Sequence, residues 1–97
     1  MRVIALRTLR IFWGAHADAE QSLKSWYDEA KKAKWKTPND IKAEYSSASF
    51  IPGDRVVFNI RGNTYRLVVA VNYARQKLFI RFIGTHSMYD KINAEKI

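Results

Sequence analysis

The sequence predicts one α+β domain in which helices come first and a small antiparallel sheet follows. Two observations support this prediction. Apolar residues recur at helical spacing before the turn at Pro52-Gly53-Asp54, and they alternate with a period of two after it. With 97 residues the chain can build one modest hydrophobic core, and no linker divides it, so residues 1–97 are expected to form a single domain.

Three helices are predicted before the sheet, behind a short N-terminal strand at Arg2–Leu6. The first helix is short. The second begins at a capping-box pattern, Asp18 followed by Gln21, and extends to about Trp35, while a third lies near Ile41–Tyr45. The spacing of the second helix predicts an inward apolar face formed by Leu23, Trp26, Ala30 and Ala33.

The sheet is predicted to be a three-stranded antiparallel meander, extended at one edge by the N-terminal strand and covered by helices on one face. Its strands would be Arg55–Ile60, Thr64–Tyr73 and Leu78–Thr85, because β-branched and aromatic residues alternate there between turn residues. Strict alternation places Arg66 and Arg81 inside half-buried strands. It also puts Arg81 on the face opposite Leu78, Ile80 and Phe82.

The charge of the chain is strongly positive and unevenly distributed. The formal net charge is +8, and between Asp54 and Asp90 six basic residues occur without an acid. Such a region attracts polyanions and speeds their encounter. Residues 31–36 contain four lysines, a run typical of a solubilising helix face. The hydrophobic fraction of 47% predicts a folded chain.

Cysteine is absent and only two histidines are present, which excludes disulfides and cysteine-based metal sites and makes any metal site unexpected. Arg7 and Arg10 interrupt the apolar start of the chain, which is too short for a leader peptide or a membrane span. We therefore interpret the N-terminal residues as part of a mature cytoplasmic protein.

The strand arginines and the segment after the last strand indicate where chemistry could take place. If Arg66 and Arg81 point to one face, they would form a clamp, because a guanidinium binds phosphate oxygens in a bidentate manner and keeps its charge. His86 and Tyr89 are one helical turn apart and could face the same side. An imidazole can take a proton from a ribose 2′-hydroxyl or give one to the leaving 5′-oxygen. Asp90 could orient His86 or be an ordinary helix-start acid.

Several stretches resemble the RelE/ParE superfamily of bacterial toxins. The segment Gly62-x-x-Tyr65-Arg66-Leu67-Val68 is similar to the hairpin motif of that superfamily. The ending Gly84-Thr85-His86-x-x-Tyr89-Asp90-Lys91, after the strand that carries Arg81, resembles its HigB branch. The segments around Trp35-Lys36-Thr37-Pro38 and Phe58-Asn59-Ile60 do so as well. The fold implied is RelE-like.

The resemblance implies the toxin of a type II toxin–antitoxin system. Such a toxin is expected to cleave mRNA, often on translating ribosomes at the 30S A site, with no metal or other cofactor. A HigA-like helix-turn-helix antitoxin would hold it inactive, with the free toxin monomeric or with two copies in the antitoxin complex. The catalytic roles would fall to Arg66, Arg81, His86 and Tyr89.

One departure from the family pattern concerns the positive charge that binds phosphate. RelE itself carries basic residues in the loop between helices and strands, whereas residues 46–54 here contain no Lys or Arg. The candidate phosphate contacts must therefore lie elsewhere in the chain, at Arg61, Arg75, Lys77, Lys91, Lys34 and Lys36.

Two other functions are compatible with the same sequence. A ParE-like topoisomerase poison would share the fold but would not need a C-terminal His/Tyr pair, so His86 disfavours it. A non-enzymatic RNA-binding module would use the strand arginines and exposed aromatics such as Trp35 and Tyr73, and it predicts RNA binding without turnover.

Overall fold

A mixed sheet of five strands forms the centre of the molecule. In this computed structural model, which describes all residues from Met1 to Ile97, the strands are β1 (Arg2–Ile4), β2 (Ser49–Ile51), β3 (Arg55–Ile60), β4 (Tyr65–Asn72) and β5 (Lys77–Thr85). The helices are α1 (Leu6–Ala15), α2 (Glu20–Lys32), α3 (Pro38–Glu44) and α4 (His86–Tyr89), with a 3-10 turn at Ala17–Ala19 before α2. No helix is both long enough and apolar enough to cross a membrane.

The α+β class is confirmed, but the sheet differs from the predicted one in size and in edge pairing. Its order is β1-β5-β4-β3-β2, so β2 to β5 form a four-stranded antiparallel meander instead of a three-stranded one. The extra strand β2 has three residues, two of them exposed, and therefore shows no apolar alternation in the sequence. β1 lies at an edge as expected, but it runs parallel to β5 and makes the sheet mixed.

The two ends of α2 depend on contacts that are distant in sequence. Asp18 does not cap the helix. Its carboxylate instead accepts a hydrogen bond from the hydroxyl of Tyr65, which raises the pKa of that tyrosine, and pairs with Arg61 at 3.1 Å. α2 ends at Lys32, three residues earlier than predicted. At this end the Met1 amino group donates hydrogen bonds of 2.6–3.1 Å to the carbonyl oxygens of Ala30, Lys31 and Ala33, which replace the partners that a longer helix would supply.

A capping box starts α3 earlier than the apolar pattern indicated. The Thr37 hydroxyl accepts from the backbone N–H of Asp40 at 3.3 Å, and Pro38 occupies the first helical position. The Asp40 carboxylate accepts from the N–H groups of Lys36 at 2.8 Å and Thr37 at 3.1 Å. These bonds, the one from Lys36 foremost, hold the pKa of Asp40 below its usual value.

The hydrophobic core lies between the sheet and helices α1 and α2. Leu23, Trp26 and Ala30 are buried as predicted, and Trp26 packs edge-to-face against Phe58 with ring centroids 5.5 Å apart. Trp35, predicted to be exposed, is only 2% accessible, so it cannot stack on a nucleobase without local unfolding. The predicted inward face of α2 is therefore confirmed for Leu23, Trp26 and Ala30, whereas Ala33 lies just past the end of the helix and is half-buried. The predicted aromatic contact of Trp35 with RNA is wrong.

A β-bulge at Arg81 changes which residues of β5 face the core. Arg81 lies between Ile80 and Phe82 and has no partner on β4. The extra residue shifts the alternation, so Ile83 joins Leu78 and Ile80 among the buried residues while Phe82 turns away. The prediction that Phe82 shares a face with Leu78 and Ile80 is therefore wrong. The sheet face opposite α1 and α2, which carries Phe82, is called the far face below.

The chain that follows α4 covers part of the far face. Val57 and Val68 pair across β3 and β4 on this face, and both are buried, with accessibilities of 1% and 0%. Arg55, two residues before Val57 and so on the same face, donates a hydrogen bond to the carbonyl of Ile97. The last residues thus cross the far face toward the start of β3, and α4 occupies its other end.

Candidate functional site

Helix α4 carries the His/Tyr pair back over the far face. Thr85, the last residue of β5, caps this helix with its hydroxyl, which accepts from the backbone N–H of Met88 at 3.2 Å. α4 packs against β5 and, less extensively, against β4. His86 and Tyr89 lie one turn apart, and both contact the same β4 residue, Arg66.

Arg66, His86 and Tyr89 form a contiguous cluster. The Nη2 atom of Arg66 lies 2.6 Å from Nε2 of His86. The guanidinium carbon of Arg66 is 5.6 Å from the ring centroid of Tyr89, a cation–π distance. Asp90 closes the arrangement, because its Oδ2 lies 3.5 Å from Nδ1 of His86. Three of the four predicted catalytic residues are thus brought together.

The hydrogen bond between Arg66 and His86 fixes the role of each imidazole nitrogen. A guanidinium is always protonated and can only donate, so Nε2 of His86 must accept through its lone pair. The other ring nitrogen, Nδ1, then faces Asp90 as the donor. The Nε atom of Arg66 is buried and has no protein partner, which leaves one donor of the guanidinium free for an anion.

Arg81 lies on the far face but outside this cluster. Its side chain is exposed, and its guanidinium carbon is 5.6 Å from the ring centroid of Phe79. Arg66 pairs with Gly84, three positions further along β5, which puts the two strand arginines about 10 Å apart along the strand. They share a face, as a two-arginine clamp requires. The distance between them is, however, too large for both to bind the same phosphate group.

The six candidate phosphate contacts do not form one patch. Lys91 follows α4 and is exposed. Arg61 lies at the same end of the sheet, but its guanidinium pairs with Asp18 on the helix side. The other four candidates, Arg75, Lys77, Lys34 and Lys36, lie near the turn between β4 and β5. Gln76 Nε2 in this turn donates to the carbonyl of Trp35 at 2.8 Å, which brings the lysines on either side of Trp35 to the same place. This end of β5 is about 26 Å from α4.

Gly84 is a residue of this region that the sequence analysis missed. It lies opposite Arg66 in the β4–β5 ladder and is buried beneath α4. A Cβ added at this position would lie 2.5 Å from Cζ of Phe82 and 3.1 Å from both Cβ and Sδ of Met88. The absence of a side chain therefore lets α4 approach the strand. A glycine inside a strand pattern is the sequence signal for such an approach.

We expect Gly84→Ala to displace α4 and to lower the free energy of unfolding by about 1–3 kcal/mol, the usual cost of overpacking. Chemical denaturation would measure the stability, and the NMR signals of the His86 ring would report the displacement. Gly14→Ala is the matched control, because a Cβ at Gly14 meets no atom within 4 Å. Unchanged stability and unchanged His86 signals in Gly84→Ala would contradict the expectation.

Fold and site together define a class of protein, a small α+β domain of RelE-like architecture with an arginine–imidazole–phenol cluster under its last helix. The sequence matches the HigB toxin family, described as the RelE-like toxic component of a toxin–antitoxin system, over residues 19–92. This range includes the whole cluster. The chain therefore belongs to the HigB toxin family.

Three relatives show the same degree of similarity. The chain is 38% identical over 65 residues to the mRNA interferase toxin HigB of Escherichia coli strain K12, an alignment that covers 65% of this chain and 62% of that protein. The mRNA interferase HigB proteins of Escherichia coli O157:H7 and of Shigella flexneri match with the same identity and coverage. The chain thus aligns with less than two thirds of the length of these relatives.

Proposed function

We propose that this chain is the toxin of a type II toxin–antitoxin system and that it cleaves mRNA by attack of a ribose 2′-hydroxyl on the adjacent phosphate. The observation that carries the proposal is the cluster of Arg66, His86 and Tyr89, which combines a fixed positive charge, a proton acceptor and a phenol within the residues that match the family. The relatives that bear the name mRNA interferase support the same substrate.

In this proposal the phosphate activates the site by competing for Arg66. A bidentate bond from the guanidinium to the phosphate replaces its bond to His86 and frees the Nε2 lone pair. Nε2 takes the proton of the 2′-hydroxyl as O2′ bonds to phosphorus. The bond to the 5′-oxygen then breaks, and the imidazolium returns the proton to that oxygen, leaving a 2′,3′-cyclic phosphate and a 5′-hydroxyl. Asp90 stabilises the imidazolium through Nδ1.

Tyr89 and Arg81 would hold the RNA on either side of the reacting phosphate. The hydroxyl of Tyr89 would donate to a phosphate oxygen, or its ring would stack on a base. The ring is held in position by Phe82, with the two centroids 6.5 Å apart. Arg81 would bind a neighbouring phosphate from the same face. Lys91 adds charge next to α4, whereas Lys34, Lys36, Arg75 and Lys77 would reach only a longer RNA or the ribosome.

The partners follow from the family and remain part of the proposal. A HigA-like antitoxin with a helix-turn-helix domain would hold the toxin inactive, and the mRNA would be met on the translating ribosome at the 30S A site. The free toxin would be monomeric, and an antitoxin dimer would bring two copies into one complex. Copurification with the antitoxin followed by mass measurement would establish the stoichiometry.

Inducible expression in a bacterial host tests the activity. We expect mRNA 5′ ends mapped minutes after induction to show new cuts with the wild type and few or none with Arg66→Ala. Arg10→Ala is the matched control, because Arg10 is exposed on α1 and lies outside the family match. Growth arrest without cuts would contradict the nuclease and favour a topoisomerase poison or a binding module. Cuts aligned with the reading frame would indicate ribosome dependence.

A further inference from the structure

A cleft of about 320 Å³ opens at the edge of the sheet, apart from the Arg66 cluster. Its walls come from α2, from the residue after α3 and from the end of β3, and they include Trp26, Glu29, Tyr45, Asn59 and Arg61. The volume falls at the lower end of the range typical of small-ligand sites. None of these residues belongs to the proposed cleavage chemistry.

Two polar atoms in the walls, Nε1 of Trp26 and Oδ1 of Asn59, are buried without a hydrogen-bond partner. The hydroxyl of Tyr45, buried beside them, donates to the carboxylate of Glu29. Trp26 is 98% buried, since its accessibility is 2%, so its indole N–H cannot turn to bulk solvent. Unsatisfied buried groups are uncommon in native proteins and call for a specific explanation. A ligand that offers both an acceptor and a donor would satisfy both.

The cleft is adjacent to the proposed cleavage site through Asn59. Asn59 and Arg66 are directly paired across β3 and β4, so their Cβ atoms are about 5 Å apart. β2 pairs only with Arg55–Val57, so β3 from Phe58 to Ile60 has no neighbouring strand on this side, and Nδ2 of Asn59 donates there to the carbonyl of Ser47 at 3.4 Å. A chain held at Arg66 on the far face can therefore cross β3 at Asn59 and enter the cleft.

The charges of the cleft indicate a nucleobase and exclude a phosphate as the group that enters it. Glu29 makes no ion pair within the chain. Burial raises the pKa of Tyr45, and the charge of the Glu29 carboxylate and its hydrogen bond with the Tyr45 hydroxyl raise it further. The cation at the rim, Arg61, is already paired with Asp18 at 3.1 Å. The cleft thus offers two acceptors, Oδ1 of Asn59 inside it and the exposed carboxylate of Glu29 at its rim, beside the donor of Trp26.

We propose that the cleft binds an unpaired nucleobase that carries an exocyclic amino group, one nucleotide from the phosphate held by Arg66. This inference rests on the proposed function for the identity of the substrate. A ring carbonyl or ring nitrogen of the base accepts from Nε1 of Trp26, and the amino group donates to Oδ1 of Asn59 and to Glu29. Uracil has no amino group and offers only its N3–H as a donor on this edge, so it pairs with at most one of these acceptors, and the cleft would confer a sequence preference on cleavage.

Titration of the ¹⁵N-labelled protein with nucleoside monophosphates tests the proposal without any cleavage. CMP and UMP are the matched pair, because their bases differ only at the edge that carries the amino group of cytosine. We expect the Trp26 indole signal to shift and saturate with CMP, and CMP to bind roughly fivefold tighter than UMP, the effect of one hydrogen bond. Trp26→Phe and Trp13→Phe would assign the indole signals.

Two variants give the decisive comparison. Asn59→Ala should reduce the preference for CMP over UMP to what Glu29 alone supports, whereas Asn39→Ala, at an exposed position of α3, should keep it in full. A Trp26 signal that moves with neither nucleotide would overturn the proposal, and so would equal binding of CMP and UMP. A Trp26 signal that moves only when a protein partner is added would also overturn it, because the occupant would then be a peptide segment.

The outcomes separate this inference from the proposed function. If the protein cuts mRNA in cells but its Trp26 signal ignores nucleotides, the base site is wrong and the nuclease stands. If CMP binds at Trp26 but no mRNA is cut, the cleft stands as a nucleobase site and the nuclease is wrong.

Discussion

Replacing Arg66 with alanine is expected to slow mRNA cleavage by roughly 10²–10³, the loss typical of removing one preorganised group that stabilises transition-state charge. Arg66 touches both His86 and Tyr89, and its Nε has no hydrogen-bond partner within the chain. The rate would be measured on a defined mRNA in a purified translation mixture, with Arg10→Ala as the charge-matched control.

Arg66→Lys separates charge from geometry at the same position. Lysine keeps the positive charge but lacks the planar fork that binds two phosphate oxygens, so we expect it to recover only part of the lost rate. Full activity in Arg66→Lys would mean that charge alone is sufficient. Near-wild-type activity in Arg66→Ala, with an intact fold by circular dichroism, would remove the cluster from the mechanism.

The parts of the fold that could be predicted are those whose signal is local. β3, β4 and β5 were predicted within a few residues of their observed bounds, because β-branched residues alternate there between turn residues. The inward face of α2 follows in the same way from helical spacing. In these segments propensity, pattern and burial agree, so the short-range signal is sufficient.

The errors fall where contacts between distant residues decide the local structure. Asp18 has the sequence context of a helix cap, yet its carboxylate accepts a hydrogen bond from the hydroxyl of Tyr65, 47 residues away. The bulge at Arg81 is invisible to a strict period of two, although an arginine between two large apolar residues is a hint of it. β2 has no pattern of its own and exists because β3 presents an edge to it.

The candidate site shows the same division. His86 and Tyr89 could be predicted to face one side because they are one helical turn apart. Arg66 could be predicted as a candidate because it lies inside a half-buried strand. The sequence could not show that α4 folds back on β4, which depends on Gly84, nor that Lys34 and Lys36 lie at the opposite end of the sheet. Charge counts along the chain identify cations but not the face on which they meet.

Replacing His86 with alanine is expected to lower the cleavage rate by about 10²–10⁴, the usual contribution of a general acid–base group, while RNA affinity changes little. The reason is that His86 moves the proton, whereas Arg66 and Arg81 carry the charge that holds the phosphates. Single-turnover cleavage and fluorescence anisotropy of a labelled RNA would measure rate and affinity on the same samples. Tyr89→Phe, which keeps the ring beneath Arg66, should lower the rate less.

His86→Gln is the sharper variant, because a glutamine oxygen can accept from Arg66 in place of Nε2 but cannot carry a proton at neutral pH. We expect it to keep the position of Arg66 and the RNA affinity of the wild type and to remain as slow as His86→Ala. If His86→Gln were active, His86 would serve only to hold Arg66 in place, and the proton transfer would have to pass to Tyr89. In that case Tyr89→Phe would be the variant that abolishes cleavage, and Asp90→Asn would have no effect on the rate.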